Sequence, residues 1–264
     1  MPSRRQRQMC IRDSFLIVFA RYLSQLILLL IIFNKQFKTH LKSNHKPLQI
    51  LRGALLMITT CFMFTGLAYL QFAENISIYM IGPVITTILA ILILKEKISF
   101  TQIFVVIIGL IGALIIASPN KGAFNYAVIF PFLAALCFAF FTISTKFLNT
   151  SDSNQTTLLF TAITGTILSL PFIIYFWKWP NLYDTLLMFC LGFLATAGHF
   201  LFIEALKVIN ASFAAPFVYL TVLLAAFWGY ILYNEVPSQN TCIGAFLIIT
   251  SGFIITRFKK KILK

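Results

Sequence analysis

Acidic residues are scarce, with only seven Asp and Glu in 264 residues. Most of them sit at the edges of apolar runs, so they do not supply the convergent acids, bases or metal ligands that an embedded active site needs. The five cysteines, Cys10, Cys61, Cys137, Cys190 and Cys242, are scattered with no close pair. That excludes a zinc ribbon or a CxxC redox site and gives no disulfide framework. There is no Walker A loop, and hence no ATP-driven pump. There is also no His/Glu metal motif, no nucleophile elbow and no Gly-rich dinucleotide turn. The expectation is a non-enzyme with no cofactor and no metal. Charge of either sign is rare too: 11% of residues are charged, against about 25% in soluble domains.

What the chain has instead is apolar length. It is 59% hydrophobic with a mean hydropathy of +0.91. A water-soluble fold cannot hide that much apolar surface; lipid is the solvent that fits. Net charge +14 raises a nucleic-acid reading, but the basic residues lie in short loops and at the tail. That is the positive-inside bias of a membrane protein, and no nucleic-acid partner is expected.

A span needs about 20 apolar residues. That ruler gives about nine helices, roughly 15–33, 50–70, 77–94, 101–118, 127–146, 156–176, 184–206, 211–233 and 240–257. With the tail Arg257, Lys259, Lys260, Lys261 and Lys264 in the cytoplasm, the Lys207, Lys146, Lys95/Lys97 and Lys35–Arg52 loops all fall inside. The outer connections then carry only Lys121 and Lys178, and Tyr175, Trp177 and Trp179 form an aromatic belt at the outer interface. The Arg-rich residues 1–14 break the pattern and read as foreign sequence in place of a lost first helix. Restoring one helix gives a ten-helix bundle of two five-helix halves, an all-α integral membrane fold.

The halves are legible as a duplication. Ser77 through Leu94 runs to Lys95-Glu96-Lys97-Ile98-Ser99, and Pro216 through Tyr233 runs to Asn234-Glu235-Val236-Pro237-Ser238. Glu96 falls on Glu235 at an offset of 235 − 96 = 139. Five is odd, so the halves insert with opposite topology, the build of a secondary transporter with its site near the midplane.

Pro83-Val84-Ile85-Thr86-Thr87-Ile88-Leu89-Ala90 through Leu94-Lys95-Glu96-Lys97, then Gly109-Leu110-Ile111-Gly112-Ala113, resembles the EamA repeat of the drug/metabolite transporter superfamily. Ala215-Pro216-Phe217-Val218-Tyr219-Leu220, with Gly229-Tyr230 and Asn234-Glu235-Val236-Pro237, is similar to its C-terminal repeat. Phe19-Ala20-Arg21-Tyr22 and Leu51-Arg52-Gly53 resemble the branch that includes S-adenosylmethionine uptake transporters. The resemblance implies a first repeat over 15–118 lacking its first helix, a second over 127–257, and a basic tail at 258–264. It implies a secondary carrier of a small polar metabolite, S-adenosylmethionine preferred, in a bacterial-type inner membrane with the C-terminus cytoplasmic. An exporter of drugs or amino-acid metabolites from the same superfamily is the alternative. A multi-span enzyme or a scaffold without solute flux is the reading of a different class. A homodimer is left open.

Ionisable groups within spans are the functional candidates, because a charge at the membrane centre costs roughly 2.5–3.5 kcal/mol. Arg21 lies inside the first run, placed to hold a substrate carboxylate or phosphate; the plainer reading is snorkelling to the interface. Arg52 reads equally as an inner anchor and as the arginine of the resemblance. His199 suits proton coupling, although hydrogen bonding to a neighbouring helix is commoner. Glu204 and Lys207 share a helix face as an ion pair or a gate. Tyr79, Tyr219 and Tyr230 lie near Pro83 and Pro216, whose helix breaks at matched ends of two repeats point towards a site. The small-residue run Gly109–Gly112 and the paired alanines Ala134-Ala135 and Ala225-Ala226 read as close helix packing, and Glu96 and Glu235 as props of their turns.

Overall fold

The computed structural model describes residues 4–70, 72–117, 126–176, 180–233 and 239–262, with side chains of the first helix from Phe15 onward. Every described regular element is helical: α1 Arg4–Phe33, α2 Phe37–His40, α3 Lys46–Leu67, α4 Phe72–Tyr79, α5 Gly82–Leu92, α6 Phe100–Ala117, α7 Ile129–Leu148, α8 Asn154–Phe176, α9 Leu182–Val208, α10 Ala211–Ala214, α11 Leu220–Tyr233 and α12 Gln239–Ile262. Short 3-10 turns at Asn34–Gln36, Tyr126–Val128 and Ala215–Tyr219 join some of them. Six spans are long and apolar enough to cross a membrane, and Gly82–Leu92, Phe100–Ile116 and Gln239–Ile255 are shorter apolar helices. This is an all-α, multi-pass membrane protein. The Glu235 turn, Trp177, Trp179 and Lys121 lie outside the described residues, as do Lys178 and the extreme ends of the chain.

Two of the expected spans are not single helices. The run expected at 77–94 is split into α4 and α5, with Pro83 in the first turn of α5. The run expected at 211–233 is split into α10, the Ala215–Tyr219 turn and α11, with Pro216 at the start of that turn. Proline lacks an N–H and is favoured in a first turn, which is where each run restarts. The two prolines mark both breaks in the sequence, while the apolar runs continue across them, since lipid demands hydrophobicity whether or not the helix is straight.

The helices form two compact units, Met1–Tyr69 with Phe140–Val208, and Leu70–Ala139 with Ile209–Lys264. Each takes elements from both halves of the chain. In the first unit α1 and α3 pack on α8 and α9. Glycines set how closely they approach. A Cβ added at Gly165 of α8 would strike the Tyr22 ring, and one at Gly53 of α3 would lie 2.8 Å from Thr164 Cβ. Leu29, Leu158, Leu159, Ala162 and Ile203 form the buried apolar cluster. In the second unit α6 packs on α12, where a Cβ at Gly112 would lie 2.8 Å from the Gly244 carbonyl. The 139-residue offset holds element by element: Phe72 falls on Ala211 and Phe100 on Gln239, the first residues of α4 and α10 and of α6 and α12.

Caps explain several ends. Ser99 and Gln102 bond reciprocally, Gln102 N–H to Ser99 Oγ and Ser99 N–H to Gln102 Oε1, a capping box at the start of α6. At one end of the first unit, Asp152 accepts bonds from Ser43 Oγ (2.5 Å), Asn44 N–H (3.2 Å) and Gln49 Nε2 (2.8 Å). Nearby, Lys146 Nζ donates to the Leu206 carbonyl at 2.7 Å. The 34–45 loop, the loop after α7 and the Lys207 end of α9 therefore gather at one end, as the basic-loop pattern requires of one membrane face.

Partial burial opposes ionisation of Asp152, but the bonds from Ser43, Gln49 and the Asn44 backbone, with His45 nearby, outweigh it, so its carboxyl sits below the ordinary value. A depressed carboxylate stabilises above its unfolded pKa and loses that contribution as pH falls through the folded one. Limited proteolysis of the 34–45 loop should accelerate only well below pH 3.8, whereas Asp152→Asn should show that faster cleavage already at neutral pH. Gly165→Ala should cost about 1–3 kcal/mol by forcing the Tyr22 ring aside, read as a lower melting temperature in detergent.

Candidate substrate site

Arg52 is the central residue of the first unit. It lies in the second turn of α3 and is 1% exposed. Its Nε donates to Thr145 Oγ1 at 2.7 Å, and its Nη1 donates to Thr161 Oγ1 at 2.5 Å and to the Thr157 carbonyl at 3.4 Å. The guanidinium carbon lies 4.5 Å from the centroid of the Phe141 ring, a favourable cation–π placement. The surface-anchor reading does not describe this geometry. Thr145 and Thr161 also donate to the carbonyls of Phe141 and Thr157 in their own helices, each at 2.7 Å. Their oxygens can therefore face the guanidinium while their protons stay in the helix.

His199 stands beside Phe141, with ring centroids 6.2 Å apart and the rings near-perpendicular. Arg21 Nη2 lies 3.0 Å from His199 Nε2. A guanidinium has no lone pair, so Arg21 donates and His199 accepts at Nε2. Arg21 also sits over the Tyr22 ring at 5.0 Å, and its Nε is buried without a partner. Among the described residues no carboxylate lies within ion-pairing distance of either arginine; the one ion pair there is Glu204 with Lys207 at 3.8 Å. Glu204 accepts a hydrogen bond from Asn154 Nδ2 as well, which ties the ends of α8 and α9 together.

The second unit holds the tyrosines. Tyr219 is fully buried, with its ring against Gly109 and its hydroxyl without a partner. It packs in one cluster with Met80, Ala113, Val222 and Ile248, beside Tyr79, and the Tyr79 ring lies 5.9 Å from Phe138. Tyr230 and Trp228 are each 52% exposed on α11, which makes neither a member of that cluster. Glu96 accepts Ala211 N–H (2.9 Å), Ser212 N–H (3.1 Å) and Ser212 Oγ (2.6 Å). The carboxylate thus caps the start of α10. Lys95 lies in the left-handed region at φ 53°, a conformation that costs about 1–2 kcal/mol, and the following Glu96 N–H closes the turn on the Ala90 carbonyl at 3.1 Å.

Sequence reasoning passed over Tyr22, Gln25, Gln49 and the Thr145/Thr157/Thr161 set. A signal was present. Gln25 is a polar residue deep in an apolar run, and Thr157, Thr161 and Thr164 recur at helical spacing, a polar stripe in a lipid-spanning helix.

The fold and these buried cations describe a multi-pass transporter. The EamA-like transporter family model matches residues 6–118 and 125–257, and the chain belongs to that family. It is 31% identical over 248 residues to the S-adenosylmethionine uptake transporter of Rickettsia bellii, covering 94% of this chain and 85% of that one. It is 28% identical over 214 residues to the riboflavin transporter of Vibrio cholerae, covering 80% and 72%. A crystal structure superposes with TM-score 0.82 at 14% identity, covering 95% of this chain and 90% of the other, a likeness of fold.

Replacing a buried ion by an apolar side chain is often neutral where no partner is left unsatisfied. Because Thr145 and Thr161 keep their helix bonds, Arg52→Met should change the melting temperature by only a few degrees. In the same preparation, any solute uptake that depends on the cationic site should be lost.

Proposed function

We propose that the protein is a secondary, ATP-independent carrier of a small polar metabolite bearing a carboxylate, with S-adenosylmethionine as its cargo. The observation that carries this is the buried Arg52 and the half-buried Arg21 in one unit, with no neutralising acid among the described residues. Cations withdrawn from water in this way favour an anionic group on the cargo. A guanidinium fork fits a carboxylate through two parallel bonds. The name of the Rickettsia bellii relative supports the choice of cargo. The aromatic residues Phe141 and Tyr22 beside the arginines suit a ligand that also carries a planar ring.

The mechanism is alternating access. The breaks at Pro83 and Pro216 supply joints in the second unit, where Tyr79 and Tyr219 lie. The clustering of Lys146 and the 34–45 loop at one end of the first unit supports a plasma-membrane orientation with that end, and the tail after α12, in the cytoplasm. The sequence repeats, 15–118 and 127–257, are the inverted units of this scheme. The name of the Vibrio cholerae relative supports a second reading, a riboflavin-like planar cargo.

Full-length protein in proteoliposomes should take up radiolabelled S-adenosylmethionine and lose the label to excess unlabelled compound. Arg21→Ala should abolish uptake or raise KM at least about tenfold, equivalent to about 1.4 kcal/mol. Uptake unchanged in Arg21→Ala removes the anion site, and competition by riboflavin but not by S-adenosylmethionine selects the second reading.

A further inference from the structure

We infer that Gln25 is a specificity-determining residue. Its carboxamide binds an uncharged donor–acceptor edge of the cargo, one helical turn along α1 from the place where Arg21 holds the anion. This rests on the reading of the arginines as an anion site.

Gln25 is 0% exposed, and neither its Nε2 nor its Oε1 has a hydrogen-bond partner. The other fully buried glutamine behaves differently, because Gln49 donates to both Asp152 and Thr157 and so has a structural task. A buried amide with nothing to bond is destabilising compared with a leucine of similar size. Gln25 therefore has no structural reason to be polar where it stands. It follows Arg21 by four residues, which puts both on one face of α1, about 6 Å apart along the axis. Arg21 too leaves a buried nitrogen unpartnered. Two adjacent side chains on one face thus hold unused hydrogen-bonding capacity, the first cationic and the second neutral.

At this level α9 presents a glycine to α1. A Cβ added at Gly192 would strike Ser24 Cβ and lie 3.1 Å from the Arg21 carbonyl and 3.2 Å from Gln25 N. The absence of a side chain at Gly192 lets α9 come close to the stretch of α1 that carries Arg21 and Gln25. A carboxamide presents one donor and one acceptor side by side. It pairs with an edge offering the complementary couple, as glutamine does with the amino group and ring nitrogen of an aminopurine. The cargo class is therefore a metabolite that carries a carboxylate and, about one turn away, a neutral donor–acceptor edge.

The test is uptake of radiolabelled S-adenosylmethionine by full-length protein in proteoliposomes. Two unlabelled competitors are used, S-adenosylmethionine itself and an analogue in which a carbonyl replaces the purine amino group. Wild type should prefer the amino compound by about tenfold, and Gln25→Leu should bind both alike with KM raised about tenfold. Maximal rate and melting temperature should hold or rise. Gln25→Glu, which keeps the shape and removes the donor side, should be the poorer transporter. An unchanged KM and an unchanged preference in Gln25→Leu overturn the inference while leaving the anion site standing, provided that Arg21→Ala is impaired. Equal uptake by wild type and Arg21→Ala, or no uptake by wild type, overturns both.

Discussion

A guanidinium enclosed by helices in a bilayer must find its polar partners inside the protein. That requirement at Arg52 organises the first unit. Its partners come from α7 and α8, Thr145 from one and Thr157 and Thr161 from the other, and Phe141 closes the remaining face. Glycines at 53 and 165 let α3 and α1 approach α8 closely enough for these bonds to form. Gly192 likewise lets α9 approach α1, and Arg21 meets His199 between the same two helices. Packing and electrostatics are therefore one constraint here, since opening the helices to relieve a contact would strand a charge.

The second unit solves a different problem, the helix end within an apolar run. Breaking a helix exposes orphan N–H groups, which are costly away from water. At the start of α10, ahead of the Ala215–Tyr219 break, Glu96 satisfies two such groups, Ala211 and Ser212 N–H, and also accepts the Ser212 hydroxyl. An acidic residue in a short turn thus acts at a distance, on a helix start 115 residues later in the chain. Tyr219 sits just beyond that start, its ring seated on a glycine.

Much of this architecture is legible in the sequence for a simple reason. Lipid imposes a length and a polarity on every span, so the nine runs and the basic loops read directly. The offset of 139 survives because each acidic turn precedes the start of a helix, at Phe100 and at Gln239. The breaks in α4–α5 and α10–α11 are written only in Pro83 and Pro216, because the apolar run continues across them. Arg52 was ambiguous, since a cation beside a basic loop looks the same whether it faces headgroups or threonines. The Arg21–His199 bond spans 178 residues, and no local pattern encodes such a meeting. Gln25 was overlooked because a single neutral polar residue barely lowers the hydropathy of its run.

Each compact unit draws on both ends of the chain, and this has a consequence for biogenesis. Synthesis delivers α1 and α3 to the membrane first, while Thr145, Thr161 and His199 are still to be made. Until α7, α8 and α9 emerge, Arg52 lacks its hydrogen-bond partners and Arg21 has only the Tyr22 ring beside it, and the early helices must remain soluble in lipid in that state. The later half of the polypeptide thus serves as an internal chaperone for the earlier one. A ribosome that stalls in mid-chain would release a product whose arginines mark it for the quality-control proteases of the membrane.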